Sequence, residues 1–299
     1  RLDALDANPP IPLDPDWGHI HRYLKTWSEE PEQRGAEFSN NYRRIAYWRT
    51  LFRHLILVLY NTGARPSEFV GKEEKVREAQ KDGSYRINRV IKGGLRWEDI
   101  EIEDSLALTH SGKEIDALIS NVYIRYSKTG VPRDVPCNCA VFFIRWREYC
   151  NKYRQEVGLR KLTKKDYVFF NPHNDKPYPY SMFYKSWTDM RTNLSLALSP
   201  IRSDQQYTIY SCRSSYITNQ IEEGKDIYLI KKLTGHSLEV LQRHYDRSDV
   251  KKRKAEATAR TIGKTKEKKI SVDLERLDEW NREEKKTNQK SKMNALKIR

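Results

Sequence analysis

The chain has 299 residues, enough for one large core or two modest ones, and carries 56 lysines and arginines against 41 aspartates and glutamates. Its net charge of +15 predicts a polyanionic partner such as a nucleic acid. Its longest apolar run, residues 55–59 (LILVL), is far too short to cross a bilayer, and its acidic, proline-rich start lacks the apolar stretch of a signal peptide. Neither a membrane protein nor a secreted protein is therefore expected.

The first part of the chain is predicted to be helical. Residues 1–16, rich in Pro and Asp, indicate an irregular lead-in, and residues 17–60 follow a helical pattern that ends in an apolar face. Gly63 ends this helix, and Pro66 suits the first turn of the next one. Arg65 is then expected at a helix N-terminus, where backbone N–H groups and the helix dipole favour an anion.

The middle of the chain changes to a strand pattern. Residues 72–94 are charged and contain glycine, which predicts an inserted loop or an extended hairpin, and residues 97–102 predict a strand. Residues 121–136 predict a second hairpin, because their first half alternates like a half-buried strand and the sequence KTG then turns the chain. Lys128 is therefore expected near a hairpin tip, where its ammonium could reach a bound phosphate.

Helices return in the second half of the chain. The pattern predicts helices over residues 140–158, 181–197, 209–224, 226–233 and 238–244, and a short strand or extended segment at residues 167–170. Arg213 lies on the third of these helices, and Gly235 ends the fourth. His236 follows directly and begins the turn into the last helix. Such turns project side chains towards a shared site.

The cysteines do not suggest a disulfide-stabilised protein. There are four of them in 299 residues, and the pair Cys137 and Cys139 has no second pair to complete a zinc site. Reduced thiols, and with them a cytoplasmic location, are expected.

Four residues in short motifs carry the chemistry. Arg65 lies in TGARPSE, Arg213 ends YSCR, His236 ends LTGH, and Tyr245 follows nine residues after that histidine. Arginine presents a planar fork of donors that matches phosphate oxygens, and a tyrosine hydroxyl can attack phosphorus and hold a covalent intermediate. The set predicts chemistry on a phosphodiester.

In this order and spacing, the motifs resemble those of the tyrosine recombinases (integrases) over roughly residues 40–248. That family carries T-G-x-R-x-x-E at its first arginine, H-x-x-R at its second, and L-G-H ahead of its tyrosine. The resemblance implies an α+β, mainly helical catalytic domain whose small antiparallel sheet bears Lys128. It implies a site-specific DNA recombinase that needs neither a metal nor another cofactor.

The resemblance also implies the partners and the setting. Double-stranded DNA is the expected partner, with a homotetramer assembled on the DNA and a monomer as the free fragment. The expected location is the cytoplasm of a prokaryote, associated with the nucleoid or with a phage. The lead-in and the long tail favour a mobile-element integrase over a housekeeping resolvase.

The resemblance assigns a role to each residue of the motifs. Tyr245 would attack the scissile phosphate and give a 3′-phosphotyrosyl link with a free 5′-hydroxyl. Arg65 and Arg213 would bind the non-bridging oxygens and stabilise charge on the transition state. His236 would donate a hydrogen bond to the same phosphate.

Three further residues belong to the predicted site. Lys128 would protonate the departing 5′-oxygen as a general acid, and Glu68 would hold neighbouring side chains by hydrogen bonds. Tyr210 stands where the family usually has His or Lys, and a neutral tyrosine is a weak base. Either this variant is tolerated, which is favoured, or cleavage is slower or shifted in pH.

Two other functions remain open. A telomere resolvase or a type IB topoisomerase shares the same catalytic residues, although the short spacing from His236 to Tyr245 and the chain length favour an integrase. A non-catalytic DNA-binding protein would keep the fold and the basic charge, but it would have no need of Tyr245 and Lys128.

The resemblance divides the chain into two parts. Residues 1–250 are expected to form the catalytic domain, and because 64 residues precede Arg65, the family's N-terminal core-binding domain is expected to be absent from this chain. Residues 251–299 are expected to form a basic tail. Two interpretations of the tail stay open, a solvated and partly disordered segment or a helix that docks on a neighbouring protomer.

Overall fold

The structure is a computed structural model that describes residues 8–80, 83–108, 114–127, 130–201 and 205–246. Within these ranges the protein is mainly helical and carries a small antiparallel sheet, so the predicted α+β fold is confirmed. The predicted tail, residues 251–299, lies outside the described residues.

Eight α-helices make up nearly half of the described chain. They are α1 (Gly18–Arg34), α2 (Tyr42–Thr62), α3 (Pro66–Val70), α4 (Ala140–Glu156), α5 (Tyr180–Asn193), α6 (Ser211–Glu222), α7 (Ile227–Thr234) and α8 (Leu238–Asp246). The helical region predicted over residues 17–60 is confirmed as two helices, α1 and α2. The five helices predicted after residue 139 are confirmed as α4 to α8, with small shifts at their ends. Among the described residues, no helix is long and apolar enough to cross a membrane.

Helix α2 is the centre of the fold. From Leu51 to Tyr60 every residue except Arg53 is buried, as expected for a helix that is apolar on nearly all sides. It packs against α1, α4 and α6. Gly63 ends it in the left-handed conformation (φ 60°), and the chain then turns into α3.

Strands β1 (Lys72–Ala79) and β2 (Tyr85–Lys92) form an antiparallel hairpin. It is a sheet of its own, separate from the other strands of the described chain. The extended hairpin that was one of two predictions for residues 72–94 is therefore confirmed.

The second sheet contains β3 (Ile100–Leu108), β4 (Glu114–Ile124) and β5 (Arg133–Cys137) in the order β3-β4-β5, all antiparallel. Strand β5 pairs with Ser120–Ile124 of β4, so the other half of β4 and its partner β3 extend beyond it as a two-stranded ribbon. The predicted hairpin of residues 121–136 is confirmed by the pairing of β4 with β5.

The strand predicted for residues 97–102 is only partly right. Trp97–Asp99 form a helical turn, and β3 begins at Ile100. The Asp99 carboxylate accepts a hydrogen bond from the Arg96 backbone N–H at 2.9 Å and pairs with Arg125, which stabilises the turn. Residues 167–170 are an extended segment rather than a strand, tied in by an isolated bridge to Arg96.

Residues 8–16, the described part of the lead-in predicted as irregular, are closely packed on the rest of the described chain. Residues 8–12 have no regular structure, and the backbone N–H of Ile11 donates to Ser215 Oγ on α6 at 2.7 Å. Asp16 is fully buried and accepts hydrogen bonds from the Tyr207 hydroxyl and from the Ser199 N–H. The lead-in thus lies along α6 and the segment that precedes it.

A small cluster of buried side chains joins the last three helices. Its members are Tyr216, Ile217, Ile221, Ile230 and Leu241. Because α6, α7 and α8 each contribute to it, the cluster fixes their relative positions. All four cysteines are buried, and none of them forms a disulfide in the described chain.

Candidate active site

Three segments that are distant in sequence meet just beyond the end of α2. They are the turn from Gly63 into α3, the start of β5, and helices α6 and α7 with the turn after α7. Four residues predicted for the site come together here. A fifth residue, which belongs to none of the sequence motifs, joins them. They are Arg65, Glu68, Arg213 and His236, with Arg133 as the addition.

Arg65 and Glu68 bond to each other across the first turn of α3. The Arg65 backbone N–H donates to Glu68 Oε2 at 2.8 Å, and Arg65 Nη1 donates to Glu68 Oε1 at 3.0 Å. Arg65 is 9% exposed and Glu68 is 4% exposed. The guanidinium is therefore held in a fixed place at the edge of the protein.

Arg133, the first residue of β5, completes the pairing of Glu68. Its Nη1 and Nη2 donate to the two oxygens of Glu68 at 3.0 and 2.7 Å, and its Nε donates to the Leu233 carbonyl at 2.9 Å. One side chain thus joins α3, β5 and α7. The sequence does contain an indication of this role. Arg133 lies two residues before the buried Val135, so in an alternating strand the two side chains share the inward face.

The carboxylate of Glu68 is stabilised in its ionised form. Burial by itself raises the pKa of Glu68, but the hydrogen bonds and charge of Arg133, the Arg65 N–H and the charge of Arg213 outweigh it. The pKa therefore lies below its ordinary value. The stability that this gives is present above the ordinary pKa and is lost as the pH falls through the lowered one.

Arg213, on α6, is 1% exposed. Its Nη1 donates to the Gly63 carbonyl and its Nη2 to the Thr234 carbonyl, groups that helix ends leave without partners of their own. Burial lowers the pKa of Arg213, and the charge of Arg65 lowers it further, to about 9, so the guanidinium stays cationic at neutral pH. Arg213 therefore ties the end of α2 to the end of α7.

His236 follows Gly235, which ends α7 in the left-handed conformation (φ 66°). Nη2 of Arg213 lies 3.1 Å from Nδ1 and 3.2 Å from Nε2 of the imidazole. Near-equal distances to both ring nitrogens place the guanidinium against the face of the ring. Nδ1 lies 3.1 Å from Oγ1 of Thr234, and because that hydroxyl donates to the Ile230 carbonyl, it accepts the Nδ1 proton.

For the other three predicted residues, the structure gives fewer contacts. Tyr210 directly precedes α6 and is half-buried, and its carbonyl accepts a hydrogen bond from the Arg213 N–H at 3.0 Å. Tyr245 lies within helix α8. Lys128 lies outside the described residues. The roles of all three remain predictions.

The cluster carries more positive than negative charge. Of its three largely buried guanidiniums, those of Arg65 and Arg133 pair with the carboxylate of Glu68, whereas Arg213 bonds to backbone carbonyls and is influenced only by the charge of Glu68. Excess charge away from water is unfavourable unless it is compensated. An anion would compensate it, and the planar donors of arginine suit phosphate oxygens. The described residues contain no group of His, Cys, Asp or Glu placed to hold a metal ion.

Gly63→Ala is expected to destabilise the protein by about 3 kcal/mol. Gly63 has φ 60°, and a Cβ there would lie 2.3 Å from the Tyr216 ring. Urea unfolding followed by circular dichroism measures the change. Gly83→Ala is the matched control, because Gly83 is also left-handed (φ 79°) but has no atom near the added carbon. We expect the control to lose about 1 kcal/mol, and equal losses in both variants would contradict the close packing at Gly63.

No protein-family model matches the chain, and no curated protein matches it. Solved structures do resemble it. The XerH site-specific recombinase bound to difH substrate, in a pre-cleavage complex, has a TM-score of 0.52 at 17% identity and covers 88% of this chain and 56% of its own. The post-cleavage complex of XerH on palindromic difH has a TM-score of 0.51 at 14% identity, with coverages of 83% and 53%.

A third structure, the Tn1549 transposon integrase in complex with transposon right end DNA, has a TM-score of 0.45 at 16% identity and covers 86% of this chain and 68% of its own. At such identities, the likeness to the two XerH complexes establishes the fold alone. The chain spans little more than half the length of the XerH chains that it matches.

Proposed function

We propose that the protein is a site-specific recombinase of the integrase type, which cleaves and rejoins DNA through a covalent 3′-phosphotyrosyl link to Tyr245. The observation that carries this proposal is the excess of buried positive charge at Arg65, Arg133 and Arg213. A phosphate diester of DNA would balance it. The net charge of +15 and the fold shared with a recombinase that binds DNA add support.

In the proposed reaction the Tyr245 hydroxyl attacks phosphorus, and the bond from phosphorus to the 5′-oxygen breaks. The phenol releases its proton, and the departing oxygen takes one from Lys128. Attack by a 5′-hydroxyl of another strand reverses the step and releases Tyr245. Because a phosphodiester is exchanged for a phosphotyrosyl ester and back, the sequence of steps needs no external energy source. Assembly of four copies on DNA belongs to the same proposal.

The arginines have different parts in this mechanism. Arg213 is fixed by two backbone carbonyls, so its donors need no reorganisation when charge develops on the phosphate. Arg65 lies nearer the surface and would bind a non-bridging oxygen. Arg133 and Glu68 are positioning residues, since they hold Arg65 and the end of α7 in place.

A covalent-trapping assay tests the proposal. The full chain and its Tyr245→Phe variant are incubated with nicked duplexes drawn from the DNA beside its own gene, and the products are separated on denaturing gels. A shifted protein–DNA band that the variant lacks is the expected result. Duplex binding without any covalent band would instead favour a DNA-binding protein that does not cleave. Relaxation of supercoiled plasmid without strand exchange would favour a topoisomerase.

A further inference from the structure

The hairpin of β1 and β2, here called the basic ribbon, stands apart from the core. Its strands hold six basic and three acidic residues. The register places Arg77 opposite Ile87 and Ala79 opposite Tyr85, so these four side chains share one face. Tyr85 is 69% exposed and Ile87 is 58% exposed. An isolated two-stranded sheet with an apolar exposed face is marginally stable in water, which points to a partner.

The part of β3 and β4 that extends beyond β5, residues 103–108 and 114–119, is here called the acidic ribbon. These residues include four acidic side chains and no basic one. Leu106 is 62% exposed and lies opposite Asp116. Within the described chain, Glu114 and Asp116 are exposed and form no ion pair. At Glu114 and Asp116 this ribbon therefore presents exposed negative charge beside the apolar side chain of Leu106.

DNA is a poor partner for the acidic ribbon, because phosphates would repel its carboxylates. It is also an incomplete explanation of the basic ribbon. Glu74 lies on that ribbon and engages Lys92 at 2.8 Å and Lys72 at 3.7 Å, so part of the positive charge is already paired. Exposed apolar side chains among charges of mixed sign fit a protein surface better than a phosphate backbone.

We propose that the basic ribbon of one copy of this chain docks on the acidic ribbon of a second copy. The two surfaces match in sign, with Lys75 and Arg77 facing the carboxylates of Glu114 and Asp116. They match in apolar content, because Tyr85 and Ile87 would cover Leu106. Their lengths are compatible, since the eight-residue strands of the basic ribbon span about 26 Å and the six-residue segments of the acidic ribbon span about 20 Å at 3.3 Å per residue.

The contact joins two different surfaces. A pair of copies therefore keeps one free basic ribbon and one free acidic ribbon, and each of these can bind a further copy. Such head-to-tail contacts close into rings or continue as chains. The inference goes beyond the proposed reaction, because association through the ribbons requires neither DNA nor Tyr245.

Charge reversal with exchange tests this contact. One variant carries Lys75→Glu and Arg77→Glu, and the other carries Glu114→Lys and Asp116→Lys. Analytical ultracentrifugation of the full chain at low salt, without DNA, is expected to show concentration-dependent association of the unmodified protein. Each variant alone should associate at least about tenfold more weakly. An equimolar mixture of the two should recover association, because each then meets a ribbon of opposite sign.

The matched control carries Lys161→Glu and Lys185→Glu, two exposed lysines outside both ribbons, and should associate like the unmodified protein. A protein that stays monomeric at every concentration overturns the proposal, and so does a mixture that fails to recover. If the Lys75→Glu, Arg77→Glu variant loses affinity for a duplex but keeps its association, the basic ribbon contacts DNA instead. Failure of covalent trapping would leave the ultracentrifugation result unaffected, so the two proposals can fail separately.

Discussion

Arg213→Lys is expected to slow the formation of the covalent protein–DNA complex by about a thousandfold, as loss of a fixed donor to a charged transition state does in other enzymes. A lysine has one ammonium on a flexible stem and cannot bond to the Gly63 and Thr234 carbonyls while it faces His236 and a phosphate. The measurement is the rate of band formation on a nicked duplex under single-turnover conditions.

Arg154→Lys is the matched control for that loss. Arg154 is also 1% exposed and is also held by a backbone carbonyl and an ion pair, those of Arg160 and Asp175, but it lies outside the candidate site. Its trapping rate should stay within about threefold of the unmodified protein. If both variants lose activity together, the effect of Arg213→Lys comes from a damaged fold and the assigned role is wrong.

Arg133→Met is expected to destabilise the protein by about 3–5 kcal/mol at neutral pH, because it leaves the buried carboxylate of Glu68 without its main partner. Burial would then be opposed only by Arg65 and by the charge of Arg213, so the pKa of Glu68 would rise from its lowered value. The loss of unfolding free energy relative to the unmodified protein should therefore be largest at pH values at which Glu68 is ionised. The difference in unfolding free energy should shrink as the pH falls through the pKa of Glu68 in the variant, and it should vanish below the lowered pKa of Glu68 in the unmodified protein.

A double-mutant cycle with Glu68→Gln isolates this pair. The combined variant should be more stable than the sum of the two single changes predicts, by at least about 1 kcal/mol, because no uncompensated charge remains. Urea unfolding at pH 7 and at pH 4 gives the required free energies. Strict additivity, or a loss for Arg133→Met that does not depend on pH, would mean that the two side chains are not coupled as described.

Much of the fold follows from local patterns in the sequence. Apolar periodicity identified the helices because a helix must bury one face, and glycine at positions 63 and 235 marked two helix ends because the left-handed conformation favours it. The helix-end motifs also carry Arg65 and His236, so local signals predicted two residues that the fold brings near Arg213.

Other parts of the site depend on contacts that no local pattern contains. Arg133 is 65 residues from Glu68 in sequence, and only the folded chain brings its guanidinium to that carboxylate. The helical turn at Trp97–Asp99 is stabilised by Arg125, which lies 26 residues after Asp99. A pattern of alternating residues within one short segment contains no information on either of these long-range contacts.

The packed lead-in has a mechanical consequence. Its hydrogen bond from Ile11 to Ser215 spans 204 residues of sequence and ends on the helix that carries Arg213. A force applied to the chain at Asn8 would therefore act on α6 through this bond, and on the segment before α6 through the buried Asp16, before it reached α1. The anchoring of residues 8–16 thus helps to hold in place the helix on which Arg213 lies.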